Sequence, residues 1–351
     1  MWVRLWLWSL CAALLIMVAL GGATRLTESG LSMVEWKPLT VLPPLTEPQW
    51  MADFEKYRLS PEYRHRTTGM TLQEYKGIFW LEYIHRLWGR AIGVLVLCPL
   101  LLLTLRRSLA PPLIQRMGVL FLLGGAQGGL GWLMVASGLV DRPDVSHYRL
   151  AAHFLMAVLV YGLLLHTALT LTHTTEGRVS LIPARRPHPA AVALTALTAL
   201  TLTWGAFTAG LDAGLFYNTF PLMGDALLPP DLSAAALWPP GPVLTLLVSD
   251  PATVQFTHRA LAILTVAALL TGWLLVWRRH RRASVRQAGL ATAAAGLGQA
   301  GLGIVTLLQA VPVPLGVAHQ SGGMLTVTLL IILLHCSGRP GQTPATQGEP
   351  S

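Results

Sequence analysis

Charged residues are scarce in this chain. Only 12% of its 351 residues are Asp, Glu, Lys or Arg, whereas 53% are hydrophobic. A soluble globular domain carries about 25% charged residues, so this composition excludes an ordinary soluble protein. The mean hydropathy of +0.54 agrees with that exclusion.

Cysteine is also rare, with three residues in the whole sequence. Cys11, Cys98 and Cys336 all lie in apolar segments, and the long polar connections contain none. This distribution excludes a disulfide within a loop, and it excludes a zinc or iron–sulfur site built from cysteine. We expect three buried, unreactive thiols.

Long apolar runs, in contrast, recur along the chain. A helix needs roughly 20 apolar residues to cross a bilayer. We place eight such spans at about 5–23, 85–105, 113–137, 150–172, 189–210, 256–277, 288–311 and 318–336. Because backbone in lipid must satisfy its own hydrogen bonds, we expect these spans to be helices.

The net charge of +9 is unevenly distributed between the connections. The second, fourth and sixth connections carry clusters of arginine and a single acid, Glu176, whereas the fifth carries four aspartates. Since an excess of basic residues marks cytoplasmic loops, the charge indicates topology and not a nucleic-acid partner. We expect both termini in the cytoplasm, with the loops 24–84 and 211–255 outside. No arginine-rich amphipathic segment precedes residue 5, which favours a bacterial inner membrane.

The two halves of the chain repeat one pattern. Residues 27–31 (TESGL) after the first span correspond to residues 211–215 (LDAGL) after the fifth. Residues 127–131 (QGGLG) correspond to residues 299–303 (QAGLG). Each half has an even number of spans, so both have the same orientation. The predicted fold is therefore an all-α integral membrane protein, with eight transmembrane helices as two tandem parallel-repeat four-helix bundles. The repeated glycines have two explanations: close helix packing or space for a flat macrocycle.

Four histidines occupy matching places in the two halves. His85 and His258 each begin a span and precede an arginine, and His153 and His319 each begin another span. The topology places all four at one depth near the outer face. A single histidine in a span is explained equally well by a hydrogen bond to a neighbouring helix, but the doubled pattern favours function. Two imidazoles that face each other in a bundle can ligate a haem iron, whereas zinc needs three or four ligands.

The remaining histidines have no such counterparts. We interpret His166 and His335, which lie within spans, as structural. The other five are expected to be solvated in loops or at span ends: His65, His147, His173, His188 and His280.

The repeat breaks one turn before the first histidine of each pair. Glu82 precedes His85 by three residues, and Gln255 precedes His258 by three residues. Residues three apart share a helix face. A carboxylate can accept a proton or stabilise positive charge, and an amide does neither well. One half would thus be reactive and the other would transfer electrons; the alternative is that Glu82 is an ordinary residue at the water interface.

Several segments resemble the haem A synthase (heme A synthase) family, in its alphaproteobacterial and mitochondrial form. They are residues 21–33, 79–90, 211–214 and 217–223, and the likeness extends from about residue 5 to residue 336. The resemblance implies an oxidoreductase for cytochrome oxidase biogenesis. Such an enzyme oxidises the C8 methyl of haem O to the formyl of haem A by successive hydroxylations with water as oxygen source.

The resemblance also implies residue roles. His258 and His319 would bind the iron of a resident cofactor, haem b. His85 and His153 would be axial ligands to the iron of the substrate haem, and Glu82 would be catalytic. This chain lacks the cysteine pair that some relatives carry in the first outer loop, so a disulfide-relay role for that loop is not expected.

These expectations divide the chain into three parts. Residues 1–173 would hold the substrate haem, residues 174–336 the resident haem b, and residues 337–351 would form a disordered cytoplasmic tail. We expect membrane lipid around the protein and haem O synthase as a candidate partner. The electron acceptor is left open, and so is a homo-oligomeric state. The runner-up function is a non-catalytic di-haem b cytochrome that exchanges electrons with quinone, and a third is a transporter without haem.

Three tryptophans and two arginines have less specific signals. Trp36, Trp50 and Trp80 of the first outer loop could cover the substrate haem, although an aromatic belt explains Trp80 better. Arg86 and Arg259 could pair with haem propionates or anchor their helices at the interface.

Overall fold

Eight long helices account for most of the chain. The computed structural model describes residues 2–35, 42–139, 145–182, 186–229, 232 and 243–338. Within these residues the long helices are α1 (Trp2–Leu26), α4 (Leu72–Leu105), α5 (Pro111–Gly138), α6 (His147–Leu169), α7 (Pro189–Gly210), α9 (Pro251–Arg279), α10 (Ala283–Leu308) and α11 (Val313–Ser337). All eight are long and apolar enough to cross a membrane. The chain is thus a multi-pass membrane protein, as the apolar runs predict.

Short elements connect these helices. Two helices, α2 (Glu47–Arg58) and α3 (Pro61–His65), lie between α1 and α4, and α8 (Val243–Ser249) precedes α9. A small hairpin that the sequence did not predict follows α6, where β1 (Leu171–His173) pairs antiparallel with β2 (Val179–Leu181). We call the end of the bundle that carries residues 27–35, 42–71 and 211–229 the loop face.

Several helices begin earlier than the apolar runs predict, because caps and not hydropathy set their starts. Thr71 and Glu74 form a capping box at the start of α4, and Asp250 accepts a hydrogen bond from the Thr253 amide at the start of α9. His85 consequently lies 13 residues inside α4 rather than at its beginning. At 1.5 Å per residue this is about 20 Å from the helix start.

The helices of the two halves pack around a shared centre. Helix α1 packs against α4, α6 and α11, and α7 packs against α9, α6 and α11. The turn after α1 and the turn after α7 both contain a residue with positive φ, Glu28 (φ 53°) and Asp212 (φ 49°), followed by a 3-10 turn. Arg25 joins these turns through an ion pair with Asp212 at 2.9 Å. Such correspondences are what a tandem repeat requires; the division into two bundles stays a prediction.

An aromatic cluster covers the loop face beside α4. It comprises Trp50, Phe54, Tyr57, Tyr75, Phe79 and Tyr83, all buried. The ring centroids of Trp50 and Phe79 are 5.0 Å apart and nearly perpendicular, a favourable aromatic geometry. Trp80 is 41% exposed at the edge of this cluster. Trp36 lies outside the described residues, as does most of the predicted disordered tail, from residue 339 onward.

The three cysteines are separate and free. Cys11 is buried and Cys336 is half-buried, but Cys98 is exposed on the surface of α4. The prediction of three buried thiols is therefore wrong for Cys98, because an apolar segment does not reveal which of its positions face the lipid.

Candidate functional site

His258 of α9 and His319 of α11 face each other. Their ring centroids are 6.5 Å apart and their planes are inclined by 81°. Metal–nitrogen bonds to histidine are about 2 Å long, so two opposed imidazoles that share one metal have centroids about 6 to 6.5 Å apart. The spacing of this pair therefore fits bis-histidine ligation of one iron.

Neighbouring groups hold both rings of this pair. His258 Nδ1 lies 3.2 Å from the Thr201 carbonyl oxygen, and an N–H···O bond there leaves Nε2 for a metal. The side-chain amide of Gln299 on α10 donates to the His319 carbonyl at 2.7 Å and lies 3.0 Å from His319 Nδ1. The orientation of each imidazole is thus fixed from outside the pair.

Each of the four predicted histidines also packs against a glycine of a neighbouring helix. A Cβ atom added at these glycines would lie 2.6 to 3.3 Å from an imidazole atom; the pairs are Gly21 with His85, Gly131 with His153, Gly205 with His258 and Gly303 with His319. Ordinary contact begins at about 3.4 Å, so a larger residue would displace the ring at each position. The four glycines therefore form a cradle for four imidazoles.

The cradle explains only some of the repeated glycines. Gly131 and Gly303 approach imidazoles, whereas Gly128 and Gly301 are exposed, Gly129 is half-buried, and none of these three has an atom within 4 Å of an added Cβ. The motif around residue 131 thus presents one glycine to the site and others to the bundle surface.

Depth along the bundle is matched between the halves. Gly21 lies five residues before the end of α1, and Gly205 lies five residues before the end of α7. The imidazoles of His85 and His258, which pack on these glycines, are therefore at corresponding depths. The longer stretch of α4 before His85 extends beyond the bundle and packs against α2.

The first-half pair is held less completely. Gln127 of α5 donates to the His153 carbonyl at 3.0 Å, as Gln299 does to that of His319, but it lies 3.4 Å from His153 Nε2 and not near Nδ1. The side chain of His85 has no hydrogen bond to the described residues, and no ring contact joins it to His153 there. Sequence reasoning missed both glutamines, although the repeated Gln at residues 127 and 299 was a visible signal.

Glu82 is buried, with 2% of its surface exposed. Its Oε2 accepts hydrogen bonds from Ser32 Oγ at 2.6 Å and from the Met33 amide at 2.8 Å. Its Oε1 forms an ion pair with Arg86, four residues later on α4. Three donors therefore stabilise the carboxylate in a dry place, and Glu82 is not an ordinary residue at the water interface.

Gln255 occupies the matching place in the second half and is also 2% exposed. Its Nε2 donates to the Tyr217 carbonyl at 3.2 Å. Arg259 donates to the same carbonyl at 2.6 Å and to that of Thr219 at 2.8 Å. In both halves an arginine and the backbone of a loop lie beside the side chain at this position. That side chain is a carboxylate only in the first half.

The other histidines depart in part from expectation. The rings of His166 and His335, which we interpret as structural, have centroids 6.3 Å apart near the end of the bundle opposite the loop face. The expectation of a solvated His147 is wrong, because this residue is half-buried and its Nε2 lies 2.9 Å from the Val248 carbonyl. The start of α6 and the last turn of α8 meet there, which hydropathy does not reveal.

Comparison with known proteins identifies the family. Residues 4–331 match the family model COX15-CtaA, described as cytochrome oxidase assembly protein. The chain belongs to this family. The match includes all or most of each of the eight long helices, together with the four histidines and Glu82.

Curated relatives within the family extend over almost the whole chain. A protein named heme A synthase from Rhodospirillum centenum is 46% identical over 343 residues, which are 97% of this chain and 90% of that protein. Heme A synthase from Paramagnetospirillum magneticum is 46% identical, with 96% and 94% covered. Heme A synthase from Parvibaculum lavamentivorans is 44% identical, with 94% and 92% covered.

Proposed function

We propose that this chain is a haem A synthase that oxidises the C8 methyl group of haem O to the formyl group of haem A. Its relatives carry that name, and the site supports the chemistry through one observation above all. A buried carboxylate, Glu82, stands one turn from His85, whereas the matching position beside His258 is an amide. Of these two matched positions, only the one in the first half can therefore accept a proton.

The second half would hold a resident haem b between His258 and His319. The centroid spacing, the glycine contacts and the hydrogen bonds from outside the pair all support a permanent ligand set. When bound, this haem supplies one-electron redox chemistry.

The first half would bind haem O between His85 and His153. A substrate must enter and leave, so its ligands need less fixed positions than those of a resident cofactor. The side chain of His85, which has no hydrogen bond within the described part of the chain, fits this requirement, while Gln127 holds His153 as the stationary partner. Residues 1–173 and 174–336 would then correspond to a substrate half and a cofactor half.

Glu82 would act on water at the methyl group. Each hydroxylation converts R–CH₃ and H₂O into R–CH₂OH with release of two protons and two electrons; a second hydroxylation gives a gem-diol, which loses water to form the aldehyde. The Glu82 carboxylate can accept a proton from the attacking water and stabilise positive charge at the methyl carbon. Ser32, Met33 and Arg86 donate to this carboxylate and hold it in position.

The membrane would be a bacterial inner membrane with both termini in the cytoplasm. Arginine clusters in the even-numbered connections support this orientation, and it puts the loop face outside. The electrons would leave to a membrane acceptor, for which quinone is a candidate class, and haem O synthase is a candidate partner for substrate delivery.

Expression of the full chain tests the function. In a bacterial host that makes haem O but no haem A, extracted haems are separated by chromatography. The proposal predicts a haem A peak that depends on the chain. Haem O and haem B alone, with the protein present in the membrane, would contradict it and favour a di-haem b cytochrome.

A further inference from the structure

The two arginines that follow the first histidine of each pair already have partners in the structure. Arg86 is paired with Glu82 and donates to the Met33 carbonyl at 3.2 Å. Arg259 donates to three carbonyls of the loop after α7, at 2.6 to 3.1 Å. A haem carboxylate at either place would have to compete with these partners.

A third arginine lies one turn before His153. Arg149 is the third residue of α6, and residues four apart share a helix face. Its Nη1 donates to the Leu133 carbonyl of α5 at 2.8 Å. Leu133 comes two residues after Gly131, the glycine on which the His153 imidazole packs. The guanidinium and the imidazole therefore contact the same short stretch of α5.

Arg149 keeps most of its capacity to donate hydrogen bonds. A guanidinium has five N–H donors, and the bond to Leu133 uses one of them. In the part of the chain that the structure describes, no acid forms an ion pair with Arg149, whereas Arg25 toward the loop face is paired with Asp212. A carboxylate ligand would therefore gain charge-assisted hydrogen bonds from Arg149 without displacing an acid.

The second half lacks this arginine. His319 corresponds to His153 in the repeat, and the residue one turn before His319 is Leu315. A leucine side chain offers no donor to a carboxylate. The difference separates the same two halves as the carboxylate of Glu82 does.

Arg149 and Glu82 lie on the same side of the first-half histidines. Glu82 precedes His85 along α4, and Arg149 precedes His153 along α6. Both helices begin toward the loop face, because α4 packs against α2 there and the first residue of α6 packs against the last residue of α7. A haem between the two imidazoles would therefore turn one edge toward both side chains.

The substituents of haem O suit this arrangement. Its two propionates are neighbouring carboxylates at one edge of the macrocycle, and the C8 methyl is the next substituent beside one of them. Carboxylates are costly to place in lipid, so this edge should point to the loop face. Axial ligands alone leave the macrocycle able to turn about the iron–nitrogen axis. A further contact is needed to fix which methyl group faces Glu82.

We propose that Arg149 binds a propionate of haem O and thereby turns the C8 methyl toward Glu82. The inference rests on the proposed function. No covalent bond is made or broken in this step, since the guanidinium N–H groups donate to the carboxylate oxygens. Arg149 is thus a substrate-binding residue that determines which methyl group reacts.

The binding of haem O and of its dimethyl ester tests the proposal, because the ester lacks the charge of both propionates. Full-length protein that holds its resident haem b is purified in detergent and titrated with each haem, and the Soret change gives the two dissociation constants. Wild type should prefer haem O. Arg149→Gln should reduce this preference about 10- to 100-fold, and its affinity for the ester should stay near that of wild type.

Two further variants complete the design. Arg149→Lys keeps the charge but loses the planar pair of donors, so its preference should be intermediate. Arg64→Gln removes an exposed arginine of α3 and should behave as wild type, which controls for the general charge of the loop face. Resident haem content of each variant reports folding.

The outcomes separate the two proposals. If wild type does not bind haem O, the proposed function fails and the inference fails with it. Equal affinity of wild type for haem O and the ester would refute only the role of Arg149, as would an unchanged preference in Arg149→Gln. Equal weakening of both haems in Arg149→Gln also overturns that role, because it indicates a structural effect. If Arg149→Gln does not fold, an unchanged preference in folded Arg149→Lys overturns it.

Discussion

The contact between Gly303 and His319 gives a prediction that separates haem binding from helix stability. A Cβ added at Gly303 would lie 2.6 Å from His319 Cε1. Gly303→Ala must therefore push the imidazole away by about 0.8 Å to reach ordinary contact distance. Functional groups tolerate displacements of only about 0.5 Å, so the ring should lose its place as an axial ligand.

The magnitude follows from two opposing effects. Loss of ligand positioning typically lowers metal affinity about 10- to 100-fold, or about 1.4 to 2.7 kcal/mol of binding free energy. The same substitution raises helix propensity by about 0.5 to 1 kcal/mol. The variant should therefore fold at least as well as wild type and bind the resident haem more weakly.

Gly301→Ala is the matched control. It lies on the same helix, has the same gain in propensity, and has nothing within 4 Å of its added Cβ. Full-length variants are purified in detergent, and the Soret absorbance per protein is measured during dilution alongside the thermal unfolding temperature. Haem loss should be faster only in Gly303→Ala. Equal retention in both variants would refute the argument from the glycine cradle.

Four further predictions follow from the same contacts. Gly131→Ala, whose Cβ would lie 3.0 Å from His153 Cε1, should reduce haem A formation and leave haem b content unchanged; loss of haem b instead would contradict the division into two halves. Gln299→Leu should weaken resident haem binding about tenfold or more, and unchanged dissociation kinetics would speak against its orienting role. His258→Ala should remove the Soret band of protein made without haem O, whereas an unaltered band would exclude it as a ligand. Trp50→Ala should destabilise the aromatic cluster by about 3 to 5 kcal/mol and expose residues 42–71 to protease; an uncut loop would count against this.

The existence of the helices could be read from the sequence, but their starts could not. Eight apolar runs indicate lipid-facing surface. In lipid a single segment can satisfy its backbone hydrogen bonds only as a helix. The first three turns of α4 are amphipathic and pack on α2, so hydropathy missed them. The cap at Thr71 marks the true start. The exposure of Cys98 could not be predicted either, because composition does not show which face of a helix a residue occupies.

The residues of the candidate site were easier to find than their supports. The matched histidines and the contrast of Glu82 with Gln255 are visible because the two halves can be compared position by position. Ser32 and Met33 gave no signal, because a turn after α1 reaches α4 only in three dimensions. Gln299 was visible as a repeated residue, but its contact with His319 depends on how two helices are packed.

The central claim is that one half reacts and the other half holds a cofactor, with Glu82 as the difference between them. The most direct test is the haem composition of membranes that contain Glu82→Gln beside wild type, in a host that makes haem O. Both proteins should retain haem b. Wild type should yield haem A, and Glu82→Gln should yield haem O with haem A reduced at least about 100-fold. Haem A at the wild-type level from Glu82→Gln would contradict the account.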